Sequence, residues 1–254
     1  INDITYVDTN ITKITQNENG IEYLINDAGE KYTGDLFLDC TGFASLLLEK
    51  EMGAKWQSFN DLGLLTDRAV TIQTQYTEDA EAELRKHLGE YVAPARHLKM
   101  KCGAHTQIAI KNVIGVGLSA GFVEPLEATG ITFTTALVHS LSDLLNAQNN
   151  IWSEQSRQMM NQGFGEMSAE IFTFVWSHYY FSTKDDTEFW KEIRTQKIED
   201  RPRFVKEILD AFLPHPKRFL HLTPSSMFCV TQWFSMLHAG GAYEGVESKL
   251  SDKQ

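Results

Sequence analysis

The polarity pattern opens on alternation. Between Ile4 and Ile14 apolar and polar residues exchange places at nearly every step, the period of a half-buried strand. Residues 16–20 form a polar turn, residues 21–25 return to strand composition, and Asp27-Ala28-Gly29-Glu30 makes a second hairpin turn. From Tyr32 the chain runs into an apolar strand over residues 35–40. A second buried strand is predicted at Val113-Ile114-Gly115-Val116, followed by a glycine-rich turn. Beyond it Ile131, Leu137, Val138, Leu141, Leu144 and Leu145 recur at helical spacing, which predicts an amphipathic helix over residues 130–147. Further helices are expected over residues 151–168, 170–181, 186–195, 203–212 and 232–238, with Pro202, Pro214, Pro216 and Pro224 as punctuation. The predicted class is α+β grading into α/β, with the helices gathered in the C-terminal region.

The turn between that second strand and its helix reads Gly117-Leu118-Ser119-Ala120-Gly121-Phe122-Val123-Glu124-Pro125-Leu126-Glu127-Ala128-Thr129-Gly130-Ile131. Pro125 fixes the backbone ahead of the helix, and Gly121 and Gly130 are expected where close approach or positive φ is needed. A helix start after such a turn offers backbone N–H groups and the positive end of the dipole to an anion. Glu127 sits in the same turn. A carboxylate there serves either chemistry or the helix dipole.

Composition narrows the field. A chain of 254 residues can bury a sizeable core as one large domain or two small ones. Its net charge of −11 argues against a protein that tracks phosphates, so no nucleic-acid partner is expected. Cys40, Cys102 and Cys229 are far apart, which suggests free thiols in a reducing cytoplasm rather than a disulfide framework or a zinc site. No signal peptide opens the sequence and no apolar run reaches membrane length, so a soluble cytoplasmic protein with no membrane partner is expected. The eight histidines show no metal spacing; His178 and His221 read as hydrogen-bonded structural residues, and no metal is expected.

Asn112 to Ile131 resembles the second flavin motif and active-site turn of the flavin-dependent halogenases of the tryptophan halogenase family. Gly34-Asp35-Leu36-Phe37-Leu38-Asp39-Cys40-Thr41-Gly42-Phe43-Ala44-Ser45-Leu46-Leu47 is similar to the family's strand running into a flavin-side glycine turn. Asp67-Arg68-Ala69-Val70, His178-Tyr179-Tyr180 and Asp185-Asp186-Thr187-Glu188-Phe189-Trp190 fall, in order, where the family has like residues. The resemblance implies a partial FAD-binding module of the para-hydroxybenzoate-hydroxylase-like type over residues 1–135 and a helical substrate-side region over residues 136–254. The Gly-x-Gly-x-x-Gly fingerprint that holds a dinucleotide pyrophosphate does not occur in this sequence. Tyr76 also passes straight to Thr77, without the Trp-x-Trp-x-Ile-Pro segment that precedes the family's acidic helix, here Glu78-Asp79-Ala80-Glu81-Ala82-Glu83-Leu84. Two family segments, one N-terminal and one internal, are therefore expected to be missing.

The chemistry implied by the resemblance is halogenation of an aromatic small molecule, indole- or phenol-like, using FADH2, O2 and halide through a flavin hydroperoxide and hypohalous acid. A separate flavin reductase would supply FADH2. By the same resemblance the amides of Thr129 and Gly130 would hold the halide, Leu118 and Ile131 would line the isoalloxazine, and Ile11 would contact the adenosine half. Glu127 would be the catalytic carboxylate, accepting the proton lost as the arene regains aromaticity or orienting a nearby ammonium. The family's partner lysine is not matched by Lys55, Lys99, Lys101 or Lys111. Trp233 and Phe234 would build the substrate pocket, while Phe172, Trp176 and Tyr179 read as core. Without the family, Ile11, Leu118 and Ile131 would also read as core aliphatics. Two other functions fit the same residues: a related flavin monooxygenase that hydroxylates, and a non-catalytic binding module derived from the fold. Product mass with and without halide separates the first two, and failure to take up FAD would favour the last.

Overall fold

The expected meander forms, displaced along the chain. In the computed structural model, which describes residues 4–71, 96–124, 126–212 and 228–242, strands β1 (Ile11–Asn17) and β2 (Gly20–Asn26) pair antiparallel, and β3 (Lys31–Tyr32) adds to β2. The strand expected from Ile4 starts only at Ile11. Ile4 and Tyr6 are 83% and 85% exposed, so the alternation there has no buried face to reward pairing. Gln16, expected in the turn, belongs to β1. The turn contracts to Glu18-Asn19, where the Asn17 side chain accepts the Asn19 amide at 2.8 Å.

The other strands are short: β4 (Phe37–Asp39), β5 (Trp56–Ser58), β6 (Arg68–Thr71), β7 (Arg96–Lys99), β8 (Gly103–His105), β9 (Ala109–Ile110), β10 (Val113–Gly115) and β11 (Gly121–Phe122). The α-helices among the described residues are α1 (Thr129–Ala147), α2 (Glu154–Tyr180), α3 (Glu188–Thr195), α4 (Arg203–Phe212) and α5 (Val230–Ala239). None of them is long and apolar enough to cross a membrane. Contacts divide the chain into two compact units that interleave along the sequence: residues 1–56, 105–121 and 131–165, and residues 57–104, 122–130 and 166–254.

In the first unit β10 lies parallel to β4 and antiparallel to β9. Ile21, Leu47, Leu48, Ala54 and Val113 form a core cluster there. Asn112 ties the meander to β10 by acting as a backbone mimic. Its amide oxygen accepts the Ile21 N–H and its amide nitrogen donates to the Ile21 carbonyl, both at 2.8 Å. Asn161 does the same for β9, accepting from Ile108 and Ala109 at 2.8 and 2.9 Å and donating back to the Ala109 carbonyl. Helix α1 buries Phe133, Leu137, Leu141 and Leu144, a single stripe at helical spacing, with Phe133 stacked on Phe164 at 4.8 Å.

In the second unit β6 and β7 pair antiparallel, Arg68 opposite Lys99. Residues 171–177 of α2 are buried all round, as expected of a helix running through a core. Phe174 stacks on Phe228 at 3.7 Å and meets Trp233 edge-on, and Trp233 stacks on Phe212 at 4.4 Å. Gln196 accepts the Trp176 indole N–H and donates to the Gly63 carbonyl, both at 2.8 Å. The two helices expected over residues 151–168 and 170–181 are one. The shift from polar to aromatic near Ala169 marks a change of surroundings, not of backbone, and Gly163 and Gly165 are carried inside the helix. The acidic segment at residues 78–84, together with Pro125, Pro214, Pro216, His221 and Pro224, lies outside the described residues.

Candidate functional site

In the first unit, the chemistry-bearing loops are organised by one carboxylate. Asp39, fully buried at the end of β4, accepts the Thr41 hydroxyl at 2.6 Å and the Thr41 amide at 2.9 Å. It also accepts the amides of Leu47 and Leu48 at 2.8 Å each and the Ser119 hydroxyl at 3.2 Å. Burial alone would push this carboxyl up. The hydrogen bonds from the Thr41 side chain and from the Leu48, Thr41 and Leu47 amides outweigh it and hold the carboxyl below its usual range. Leu47 and Leu48 belong to a π-helical turn, Leu46–Glu51, so Asp39 caps amides that its first turn leaves unbonded. Ser119 in turn donates to the Gly42 carbonyl at 3.1 Å. The loop after β4 and the loop after β10 are thereby fixed to one point.

Two glycines are favoured beside that node. A Cβ on Gly115 would stand 2.6 Å from Leu48 Cδ2 and 3.1 Å from the Ser119 carbonyl, so a side chain there would force the buried Leu48 and the loop backbone to move. Gly117 adopts φ +66° and opens a short 3₁₀ turn, Gly117–Ser119, that presents Leu118 outward. Leu118 is 40% exposed, Ile131 74% and Ile11 44%. The core packing that these aliphatics suggest in isolation is not what they do.

In the second unit, the turn before α1 is held from within. Glu124 is buried, and the Tyr179 hydroxyl donates to its carboxylate. Its carbonyl accepts the Thr129 hydroxyl at 3.2 Å, with Thr129 itself buried. The Tyr179 phenol is pushed far above its ordinary value, by burial first and then by the Glu124 charge. The same two causes push the buried Cys102 thiol up to about 11. Glu127 lies in a 3₁₀ turn, Leu126–Ala128, and its side chain falls outside the described residues.

The left-handed residue of this turn is Ala128, at φ +53°. Gly130, expected there, is the second residue of α1 with ordinary helical φ, and a Cβ on it would meet nothing within 4 Å. Gly121, expected where close approach or positive φ is needed, has no positive φ. The correction has a simple cause. The chain reverses one residue after Glu127, so the helix is already under way when Gly130 is reached.

Of the proposed substrate residues, Trp233 is fully buried in the aromatic core described above, and Phe234 is half-buried. An open cavity of about 590 Å³ in this unit is bordered instead by Phe174, His178, Phe181, Lys184, Gln232 and Met236. His178 is hydrogen-bonded through Nδ1 to the Phe174 carbonyl at 2.9 Å, as a structural histidine would be. Sequence reasoning missed Asp39 and Glu124 as organising groups. A signal existed for the first, since a lone Asp ends the apolar run Leu36-Phe37-Leu38. Only folding discloses the second, because its partner is 55 residues away.

The tryptophan halogenase family model matches residues 2–79 and 75–253, two stretches that meet at the Tyr76–Thr77 junction where an internal family segment is expected to be missing. The 7-chloro-L-tryptophan 6-halogenase KtzR of Kutzneria sp. (strain 744) is 29% identical over 270 residues, covering 87% of this chain and 51% of the relative. Those 270 aligned positions exceed the 254 residues of the chain, so the relative carries residues within the match that this chain lacks. Tryptophan 6-halogenase SttH of Streptomyces toxytricini is 30% identical over 211 residues, 66% of this chain and 40% of the relative. The chain spans about half the length of the curated relatives it matches. Among solved structures, BrvH, a flavin-dependent halogenase from Brevundimonas sp. BAL3, superposes with a TM-score of 0.80 at 21% identity, over 93% of this chain and 56% of that one. The SttH structure gives 0.77 at 24% identity, over 91% and 53%. At these identities the structures establish a shared fold, and the family match establishes descent: the chain belongs to the tryptophan halogenase family.

Proposed function

We propose that the protein halogenates an aromatic small molecule, indole- or phenol-like, using reduced FAD, O2 and halide. The observation that carries this reading is the turn Glu127-Ala128-Thr129-Gly130, in which Ala128 is held left-handed at φ +53° immediately before a helix start. A non-glycine residue in that region costs about 1–2 kcal/mol and persists only where the surroundings impose it. Such a turn would present the successive amides of Thr129 and Gly130 at the positive end of a 19-residue helix, an arrangement suited to a halide ion.

The residues present suit a flavin on its ring side. Leu118 and Ile131, exposed aliphatics flanking the turn in sequence, would line the isoalloxazine, and exposed Ile11 would contact the adenosine half. Gly117 at φ +66° lets the backbone come close without a side chain intervening. The chemistry a reduced flavin would supply here is activation of O2, which takes two electrons from the flavin and two from halide to leave oxidised FAD, water and hypohalous acid. This chain's own residues would hold the halide at the Thr129 and Gly130 amides and take the arene proton at the Glu127 carboxylate. Residues 1–135 would then act as a partial flavin module of the para-hydroxybenzoate-hydroxylase-like type and residues 136–254 as the substrate side, with Trp233 and Phe234 shaping the pocket wall from the core. A separate flavin reductase and a cytoplasmic setting complete the reading.

Because Gly130 is helical and open, Gly130→Val is expected to leave the fold intact, with a helix stability within about 1 kcal/mol of the parent. The added methyls would crowd the ligand rather than strain the backbone. The bromide concentration for half-maximal rate should therefore rise about tenfold or more while the melting temperature stays put, and Thr129→Ser should be mild. The reading itself is tested by product mass from the intact protein with reduced flavin, with and without bromide. A hydroxylated product in both conditions would favour the monooxygenase reading.

A further inference from the structure

Glu124 and Tyr179 are joined across 55 residues of sequence, and neither is needed for the roles assigned above. Glu124 is buried at the entrance of the turn; its side chain accepts the Tyr179 hydroxyl, and its carbonyl accepts the Thr129 hydroxyl at 3.2 Å. One residue therefore grips both ends of the segment that contains Glu127 and the left-handed Ala128. A buried carboxylate with a neutral phenol donor is a costly arrangement to leave half-made, since removal of either partner strands the other. Burial, with the Glu124 charge beside it, keeps the phenol protonated and so always able to donate.

We infer that Tyr179 and Glu124 are positioning residues, a clamp that imposes the strained Ala128 conformation and so sets the aim of the Thr129 and Gly130 amides. The inference rests on the halogenase reading for its consequence, and on geometry alone for the clamp. Strain of this kind relaxes when its restraint is removed. In Tyr179→Phe the turn loses its outer anchor while the ring, and hence most of the packing, stays.

The test is amide hydrogen exchange on the intact protein, free of flavin, read over residues 126–131. Tyr179→Phe is expected to accelerate exchange there about tenfold, while α4 and α5 stay within about twofold. Glu124→Gln keeps an oxygen to accept the phenol and should remain near the parent. Ala128→Gly, which takes positive φ without penalty, should restore much of the protection when added to Tyr179→Phe. With reduced flavin present, Tyr179→Phe should raise the bromide half-saturation about tenfold and move the aromatic substrate's KM less than about twofold. Unchanged exchange over the turn overturns the clamp. A uniform rise across the unit does so too, because Tyr179 would then contribute only to general stability. If the intact parent yields no brominated product, the halogenase reading falls, and the exchange measurement still decides the clamp.

Discussion

Glu127→Gln in the intact protein is expected to lower turnover about a hundredfold or more while FAD still binds, the loss typical of removing one positioned acid/base group. Glutamine keeps the length and one hydrogen-bonding oxygen but can neither accept a proton nor attract an ammonium. Its position follows the same logic as the turn: one residue before the left-handed Ala128 and two before α1, where the backbone fixes its Cα relative to the Thr129 and Gly130 amides. The fold should survive. A carboxylate at a helix start contributes at most about 1 kcal/mol through the dipole, so a matched melting curve separates chemistry from stability. Turnover under saturating reduced flavin, with the visible spectrum reporting bound FAD, is the measurement. An unaffected rate removes Glu127 from the mechanism.

The second large effect concerns stability. Asp39→Asn should cost on the order of 3 kcal/mol, since hydrogen bonds to a charged group contribute about 1.5–3 kcal/mol and a buried donor left unmatched costs a similar amount. The parent carboxylate takes five hydrogen bonds from Thr41, Leu47, Leu48 and Ser119 on two oxygens. Asparagine turns one oxygen into a donor that faces either the Leu47 and Leu48 amides or the Thr41 hydroxyl, and donors then confront donors. The sign of the pH dependence follows from the depressed folded value. The stabilisation is complete above the unfolded carboxyl value, about 3.9, and is lost as pH falls through the lower folded value. Chemical denaturation of parent and variant should thus differ fully at neutral pH and converge in strong acid. A constant gap across that range would show that Asp39 is not ionised in the folded protein.

Sequence reading reached the elements whose burial is periodic. The stripe Leu137, Leu141, Leu144 predicted α1 almost to its ends, and residues 203–212 are helix α4 as expected. The meander was legible from its turns: the 27–30 turn falls where polarity placed it, while the first turn shrinks to Glu18-Asn19 and leaves Gln16 to β1 and Gly20 to β2. What was not legible has a common physical cause: it depends on partners distant in the chain. Ile4 looks like a strand residue until the lack of a buried face is known. Residues 151–181 look like two helices because one half is polar and the other wholly enclosed. In the site, the glycine at position 130 attracted the backbone argument, yet the turn spends its positive φ on Ala128. The stacking of Trp233 on Phe212 in the core, from where it can back a pocket wall but not line it, was likewise not readable from the sequence. The Asp39–Ser119 and Glu124–Tyr179 links, 80 and 55 residues apart, were beyond any local pattern.

On the proposed function, the turn at residues 127–130 belongs to an enzyme that places halogen on an aromatic ring. The most direct measurement is the mass of the product formed by the intact protein with reduced FAD, O2, bromide and a panel of indoles and phenols. The expected product carries one bromine in place of one ring hydrogen, recognisable by its paired isotope peaks, and disappears when bromide is withheld. A product carrying oxygen in place of bromine, or no turnover from a preparation that binds FAD, would contradict it.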